Sequence, residues 1–98
     1  MNMQAMLQQA QRMQKDIQTK QEQINTSEYT GTSEMVDITI YGSKKIKFVN
    51  IKVKSLDEED TEVLEDMIKI AMNDAISKVE KDVESKLGSY SKQLGGLI

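Results

Sequence analysis

Apolar residues near the start of the chain recur at alternating steps of three and four, the spacing of a helix seam. They are Met3, Met6, Ala10, Met13, Ile17 and Ile24, and Lys20 fills the one polar position of the series. Most other positions are Gln, which suits a helix without widening its apolar face. The pattern predicts a helix over about residues 3–24 that needs another helix to cover its seam.

The middle of the chain changes to a period of two, which is typical of β-strands. Val36, Ile38 and Ile40 alternate with polar residues, and the alternation resumes at Ile46 after a turn. A weaker Thr- and Tyr-containing segment precedes them. We predict an antiparallel sheet with strands at about 27–33, 35–41 and 45–54.

The apolar positions of the last strand change parity along its length. Ile46 and Phe48 share one parity, whereas Val49, Ile51 and Val53 share the other. A strand that keeps one apolar face needs an extra residue at such a point. We therefore predict a β-bulge at Phe48–Val49.

A second helix is predicted over about residues 57–92, beginning at a capping-box pattern that starts with Ser55. Its near half is apolar over a wide arc and should cover the sheet, whereas its far half carries a narrow stripe that should meet the first helix. Within it, we expect Asn73 to hydrogen-bond a neighbouring strand and Asp74 to face water.

These elements predict an α+β fold, an α-β-β-β-α subunit in a single domain, 1–98, with a small antiparallel sheet and two long helices. A chain of 98 residues with one Phe and no Trp has a thin core, so a partner chain is expected. The residues expected to pack in the core or a dimer interface are Val36, Ile38, Ile40, Ile46, Phe48, Ile51, Leu64 and Ile68.

Composition argues against several classes of protein. The chain has neither Cys nor His, so the usual zinc ligands and the commonest general base are absent. The acidic run at 57–66 lacks the spacing of a calcium loop and suits a helix N-terminus. No apolar stretch is long enough for a membrane span. We expect a cytoplasmic protein that is not an enzyme and has no metal, cofactor, small-molecule substrate or membrane partner.

Charge is distributed unevenly over a net value of −3. Residues 1–54 carry eight basic and five acidic groups, whereas residues 55–98 carry five basic and eleven acidic groups. Nucleic-acid binders usually present a strongly basic surface, so the overall balance alone does not indicate DNA.

Several segments, in order, resemble the YbaB/EbfC family of nucleoid-associated proteins. They are Gln9-Ala10-Gln11-Arg12-Met13-Gln14-Lys15, Thr30-Gly31, Leu64-Glu65-Asp66 and Ala71-Met72-Asn73-Asp74-Ala75. The chain departs from the family in a shorter connection at Ser33-Glu34-Met35 and in a tail reduced to Gly95-Gly96-Leu97-Ile98. The resemblance implies a tweezer-like homodimer, with projecting helices, that binds duplex DNA in the bacterial nucleoid.

If DNA is the partner, lysines must neutralise most of the phosphates, because Arg12 is the chain's single Arg. If both helices project as the resemblance implies, the basic residues on the projecting segments are the DNA-binding candidates. They are Arg12, Lys15, Lys78, Lys81 and Lys86. A secondary basic patch is Lys44, Lys45 and Lys47. Either set could instead be a solvated face, and edge strands carry Lys to prevent aggregation.

The sequence is compatible with two functions. The first is a homodimeric nucleoid-associated protein that binds duplex DNA with little sequence specificity and affects nucleoid organisation and gene expression. The alternative is a dimeric protein-interaction scaffold without direct DNA binding, whose helix tips engage another protein. The acidic net charge favours the second, and the family resemblance favours the first.

Overall fold

The computed structural model describes residues 2–93, in which two long helices flank a three-stranded antiparallel sheet. The elements are α1 (Met3–Thr26), β1 (Glu28–Thr32), β2 (Val36–Tyr41), β3 (Ile46–Ile51) and α2 (Thr61–Gln93). This order confirms the α+β, α-β-β-β-α prediction. The shortened tail, 95–98, lies outside the described residues.

Both helices begin at short polar side chains. The Asn2 side chain accepts the N–H of Ala5 at 2.7 Å and so caps α1. A 3-10 turn, Glu58–Asp60, precedes α2, and the N–H of Asp57 donates to the Asp60 carboxylate at 3.0 Å. The predicted cap at Ser55 is therefore wrong by two residues, because this pair of aspartates closes the turn.

Strand β2 lies between β1 and β3, and the pairing of β3 contains one extra residue. Thr39 lies opposite Phe48, whereas its neighbour Ile40 lies opposite Ile46, which leaves Lys47 without a partner position. The bulge is thus at Lys47, and the prediction of Phe48–Val49 is corrected. A parity change shows that a residue is inserted but not which one, because either position restores the apolar face.

The position of the bulge decides which face each side chain of β3 occupies. Directly paired residues share a face, so Val49 lies on the same face as Ile38, and Ile51 on that of Val36. Phe48 instead shares the opposite face with Thr39. The face that carries Val49 and Ile51 is the one against which α2 packs.

The core lies between α2 and the first two strands. Its buried members are Val36, Ile38, Ile40, Ala71, Ala75 and Val79. The closest approach is at Gly31 in β1, where a Cβ atom would lie 1.9 Å from the carbonyl oxygen of Ala71 and 2.4 Å from the nitrogen of Ala75. The small residues on both elements therefore let helix and strand backbones touch.

Strand β3 has no such cover. Ile46, Phe48, Val49 and Ile51 are between 42% and 56% exposed, although all four are apolar. The first turns of α2 are similar: Leu64 is half-buried, but Val63, Ile68 and Ile70 are exposed. The wide apolar arc predicted for α2 is therefore covered by the rest of the chain mainly from Ala71 onward.

The far part of α2 packs along α1, as the narrow stripes predicted. Ile24 of α1 and Leu87 of α2 are buried, and Gly42 of the turn after β2 contacts the Ile24 backbone so closely that a Cβ would lie 1.9 Å from its carbonyl oxygen. The result is an elongated molecule of 70 × 21 × 14 Å. Among residues 2–93, neither helix is apolar enough along its length to cross a lipid bilayer.

Candidate nucleic-acid interface

The N-terminal half of α1 is the most clearly positive helix segment in the chain. Its residues 3–15 include no Asp or Glu, and the two charged side chains among them are Arg12 and Lys15. Both are exposed, and they line a shallow hollow with Gln8 and Gln11. Within the described part of the chain, neither forms an ion pair.

The predicted cations on α2 differ from one another in availability. Lys78 donates to the Thr30 carbonyl at 2.5 Å and lies 3.5 Å from the Asp74 carboxylate. Lys86 is 2.5 Å from the Asp82 carboxylate. Lys81 is exposed, and no ion pair engages it among residues 2–93. Of the α2 candidates, Lys81 is therefore the one that can meet a phosphate without giving up a partner.

The secondary patch surrounds the turn between β2 and β3. Lys44 has a positive φ of 75°, which the turn requires, and its N–H donates to the Tyr41 carbonyl at 2.8 Å. Lys44 and Lys45 are exposed, whereas Lys47, the bulged residue, pairs with Glu28 at 2.8 Å. This ion pair raises the pKa of Lys47, since its charged form gains a hydrogen bond. Two of the three lysines are thus available.

The outer edge of β1 is occupied by side chains of α2. The Asp74 carboxylate accepts the N–H of Thr32 at 3.0 Å, and Lys78 occupies the carbonyl of Thr30. The Thr32 bond and the nearby lysines lower the pKa of Asp74. The expected roles of Asn73 and Asp74 are therefore reversed, because Asn73 is exposed and Asp74 is the residue turned towards the strand.

Two tyrosine–aspartate contacts connect α2 to the rest of the chain. The Tyr29 hydroxyl donates to Asp82, which also holds Lys86, and the Tyr90 hydroxyl donates to Asp16 of α1, which also holds Lys20. Burial and the Asp82 contact raise the pKa of Tyr29 to about 12. Sequence reasoning missed both contacts, because the partners lie 53 and 74 residues apart.

The ion pairs on α2 could have been found from spacing. Asp74–Lys78 and Asp82–Lys86 are both four residues apart, the spacing of helix ion pairs, whereas Lys81 has no carboxylate at that distance on either side. The lack of acids before Asp16 was equally visible. These two signals separate Arg12, Lys15 and Lys81 from the lysines that serve the fold.

Comparison with known proteins also points to nucleic-acid binding. Residues 1–94 match the model of the YbaB/EbfC DNA-binding family. The chain belongs to the YbaB/EbfC DNA-binding family. A nucleoid-associated protein of Lactococcus lactis subsp. cremoris is 43% identical over 96 residues, which cover 96% of this chain and 97% of that protein. One from Enterococcus faecalis is 40% identical over 97 residues, covering 97% and 93%.

A nucleoid-associated protein of Ligilactobacillus salivarius is also similar, at 33% identity over 99 residues that cover 99% of this chain and 95% of the relative. The matches extend over both helices and the sheet, so the YbaB/EbfC assignment applies to the whole described fold. The resemblance noted from the Gln- and Met-rich first helix and the Ala-Met-Asn-Asp-Ala segment is confirmed.

Proposed function

We propose that this protein is a homodimer that binds duplex DNA with little sequence preference in the nucleoid of a bacterial cytoplasm, and so affects nucleoid organisation and gene expression. The observation that carries the proposal is the acid-free N-terminal half of α1, where Arg12 and Lys15 are exposed without ion pairs among the described residues. Family membership and the names of the relatives support it. Phosphate contacts by cations read no base sequence, which supports low specificity.

A salt titration tests the proposal. Because neutralised phosphates release counterions, log affinity for duplex DNA should fall with log salt by about 0.9 for each phosphate contacted. Fluorescence anisotropy with several duplexes of unrelated sequence measures both the slope and the sequence preference. Absent or salt-independent binding would contradict the proposal, and a strong preference for one duplex would contradict its low specificity.

Paired charge reversals locate the site. The variant Arg12→Glu/Lys15→Glu should lower DNA affinity, because it places two carboxylates on the positive arm. The matched control is Lys44→Glu/Lys45→Glu, which reverses two equally exposed cations at the secondary patch. Loss of affinity in the control alone would move the site from the helix to the turn.

The two cations on α2 allow a second comparison. Lys81 is without an ion pair among residues 2–93, whereas Lys86 is paired with Asp82. Replacing Lys81 by Gln should therefore reduce affinity more than replacing Lys86 by Gln, when both are measured at the same salt concentration. The reverse order would mean that the Asp82 pair opens when DNA binds.

The homodimer is supported by the unequal edges of the sheet. At the β1 edge, α2 side chains bond the outward N–H of Thr32 and the outward carbonyl of Thr30. At the β3 edge, the N–H of Lys52 points to β2, so the alternation of the strand turns the backbone groups of Val49 and Ile51 outward. No side chain of the described residues occupies them, and the apolar side chains there lack cover. A second copy that pairs or packs at β3 would satisfy both.

The variant Val49→Lys tests this interface. A lysine at the uncovered edge should dissociate the dimer, because two copies would bring like charges together in an apolar contact. Thr32→Lys is the control, since it adds the same charge at an exposed position of the other edge strand. Light scattering should give a monomer mass for Val49→Lys and a dimer mass for Thr32→Lys. A monomeric wild-type protein would contradict the homodimer.

The scaffold remains a second candidate because of the tip of α1. Met3, Met6 and Leu7 are 79%, 52% and 60% exposed, an unusual density of bare apolar side chains on one helix end. A scaffold would retain a protein partner after nuclease treatment of a lysate. A DNA binder of the proposed kind would lose its associated proteins under the same treatment.

A further inference from the structure

Asp16 stands where it could neutralise the proposed DNA contact. It is the first carboxylate in the sequence, directly after Lys15 and four residues after Arg12. Side chains four residues apart on a helix are neighbours, so Arg12 and Asp16 have the spacing of a helix ion pair. An arginine occupied in that way would have to break the pair before it could contact a phosphate.

In the structure the Asp16 carboxylate is engaged in the seam between α1 and α2 instead. The Tyr90 hydroxyl donates to it, and the Lys20 ammonium lies 3.4 Å from it. Lys20 also lies 5.0 Å from the centroid of the Tyr90 ring, within cation–π distance. Asp16, Lys20 and Tyr90 are all half-buried and form one cluster at the level where α2 meets α1.

The charge on Asp16 persists in this cluster. The hydrogen bond from Tyr90 is the largest influence that lowers the pKa of Asp16, and Lys20 lowers it further. The carboxylate is therefore a permanent competitor for nearby cations at neutral pH. Arg12, Lys15, Asp16 and Thr19 line one shallow hollow on α1, so a carboxylate released from Tyr90 could reach Arg12 by a change of side-chain rotamer.

We propose that Tyr90 and Lys20 are positioning residues that hold the Asp16 carboxylate in the helix seam and thereby leave Arg12 available to a DNA phosphate. This inference rests on the proposed function and adds to it the control of the phosphate contact. It also accounts for Lys20, the one polar residue in the apolar series of α1, since its ammonium serves the carboxylate rather than the core.

The test removes one hydroxyl. Tyr90→Phe keeps the ring and its contact with Lys20 but frees one side of Asp16 to pair with Arg12. The dissociation constant for duplex DNA should rise about threefold to tenfold at moderate salt, and the log–log salt slope should shrink by about 0.9 for each phosphate that is no longer neutralised. The double variant Tyr90→Phe/Asp16→Asn should restore the affinity and the slope, because the amide has no charge to offer Arg12.

The control variant is Tyr29→Phe. It removes the hydroxyl of the other tyrosine–aspartate contact, which does not involve Arg12, and should leave the salt slope unchanged. A wild-type slope in Tyr90→Phe overturns the inference while the proposed function stands. A decrease in affinity that Asp16→Asn fails to restore also overturns it, because the role of Tyr90 is then only structural. If Arg12→Glu binds DNA as well as the wild type, Arg12 is not a phosphate contact and the inference is overturned, whereas DNA binding stands with its site elsewhere; absence of DNA binding by the wild type would instead contradict the proposed function.

Discussion

The close contact at Gly31 predicts that replacement by Ala lowers the free energy of unfolding, whereas the same replacement at Gly88 should raise it. Gly31→Ala places a methyl group against the backbone of α2, where the nearest atoms would be 1.9 Å and 2.4 Å away. Ordinary contacts of a Cβ atom begin at 3.4 Å, so α2 and β1 must separate by about 1.5 Å. Backbone atoms cannot rotate aside as the end of a side chain can. The whole interface between α2 and β1 therefore has to move.

The size of the effect follows from what that movement disturbs. Overpacking of this kind costs about 1–3 kcal/mol. The shift also stretches the bond from Thr32 to Asp74, worth about 1 kcal/mol. Lower entropy of the unfolded chain returns about 0.4–1 kcal/mol. We expect Gly31→Ala to lower the free energy of unfolding by about 2 kcal/mol, which for a domain of this size lowers Tm by roughly 8–16 °C.

Urea denaturation at one fixed protein concentration measures the change, because a dimer would be more stable at higher concentration. The matched control is Gly88→Ala in α2, where the new methyl group would meet the flexible side chain of Glu84. Alanine is the better helix former, so this variant should gain up to about 1 kcal/mol. If Gly31→Ala remains within about 0.5 kcal/mol of the wild type, the limit for a change without structural consequence, the close approach is refuted.

Three further predictions concern the core and the tyrosine–aspartate contact. Ile38→Ala, at a buried position, should lower the free energy of unfolding by about 2–5 kcal/mol, whereas Val63→Ala on the exposed start of α2 should change it by less than about 0.5 kcal/mol in the same urea assay. Because the pKa of Tyr29 is raised to about 12, its protonated form favours folding below pH 10, and that contribution should disappear between pH 10 and 12; thermal unfolding of Tyr29→Phe should lack this alkaline step. Lys86 and Tyr29 lower the pKa of Asp82, so its ionised form contributes stability above about pH 4 that is lost on further acidification, and Asp82→Asn should flatten the acid limb of the stability profile.

The elements could be predicted because each has its own periodicity. The steps of three and four predict α1 and the alternation around Ile38 predicts β2, and both elements form. Ile24 and Ile38 are buried, whereas Met3 and Met6 at the start of the α1 series are exposed. The bulge could be predicted but not placed at Lys47, because parity is restored by an insertion at either neighbouring position. Asn73 and Asp74 could not be distinguished, since adjacent helix residues point about 100° apart and only the packing of α2 on Gly31 sets the direction of β1.

The candidate site was predictable in its residue types and only partly in its geometry. Arg12 and Lys15 are exposed, as a projecting helix requires, but Lys78 and Lys86 are engaged by carboxylates one turn earlier. The contact between Tyr90 and Asp16 depends on how two helices come together through residues 74 positions apart in sequence, and no local pattern encodes that. The spacing of charged residues in the sequence predicts ion pairs within one helix. Contacts between α1 and α2 can be identified only once the fold is known.

The occupied outer edge of β1 has a consequence for how many copies can join. A sheet that offers both edges can accept one neighbour on each side and grow without limit, as fibres do. Here the Asp74 carboxylate and the Lys78 ammonium already bond the outward N–H of Thr32 and the outward carbonyl of Thr30, which leaves β3 as the edge with the greater capacity for strand pairing. Two protomers that meet through β3 would exhaust that capacity. Addition of strands then favours a closed pair over an extended ribbon.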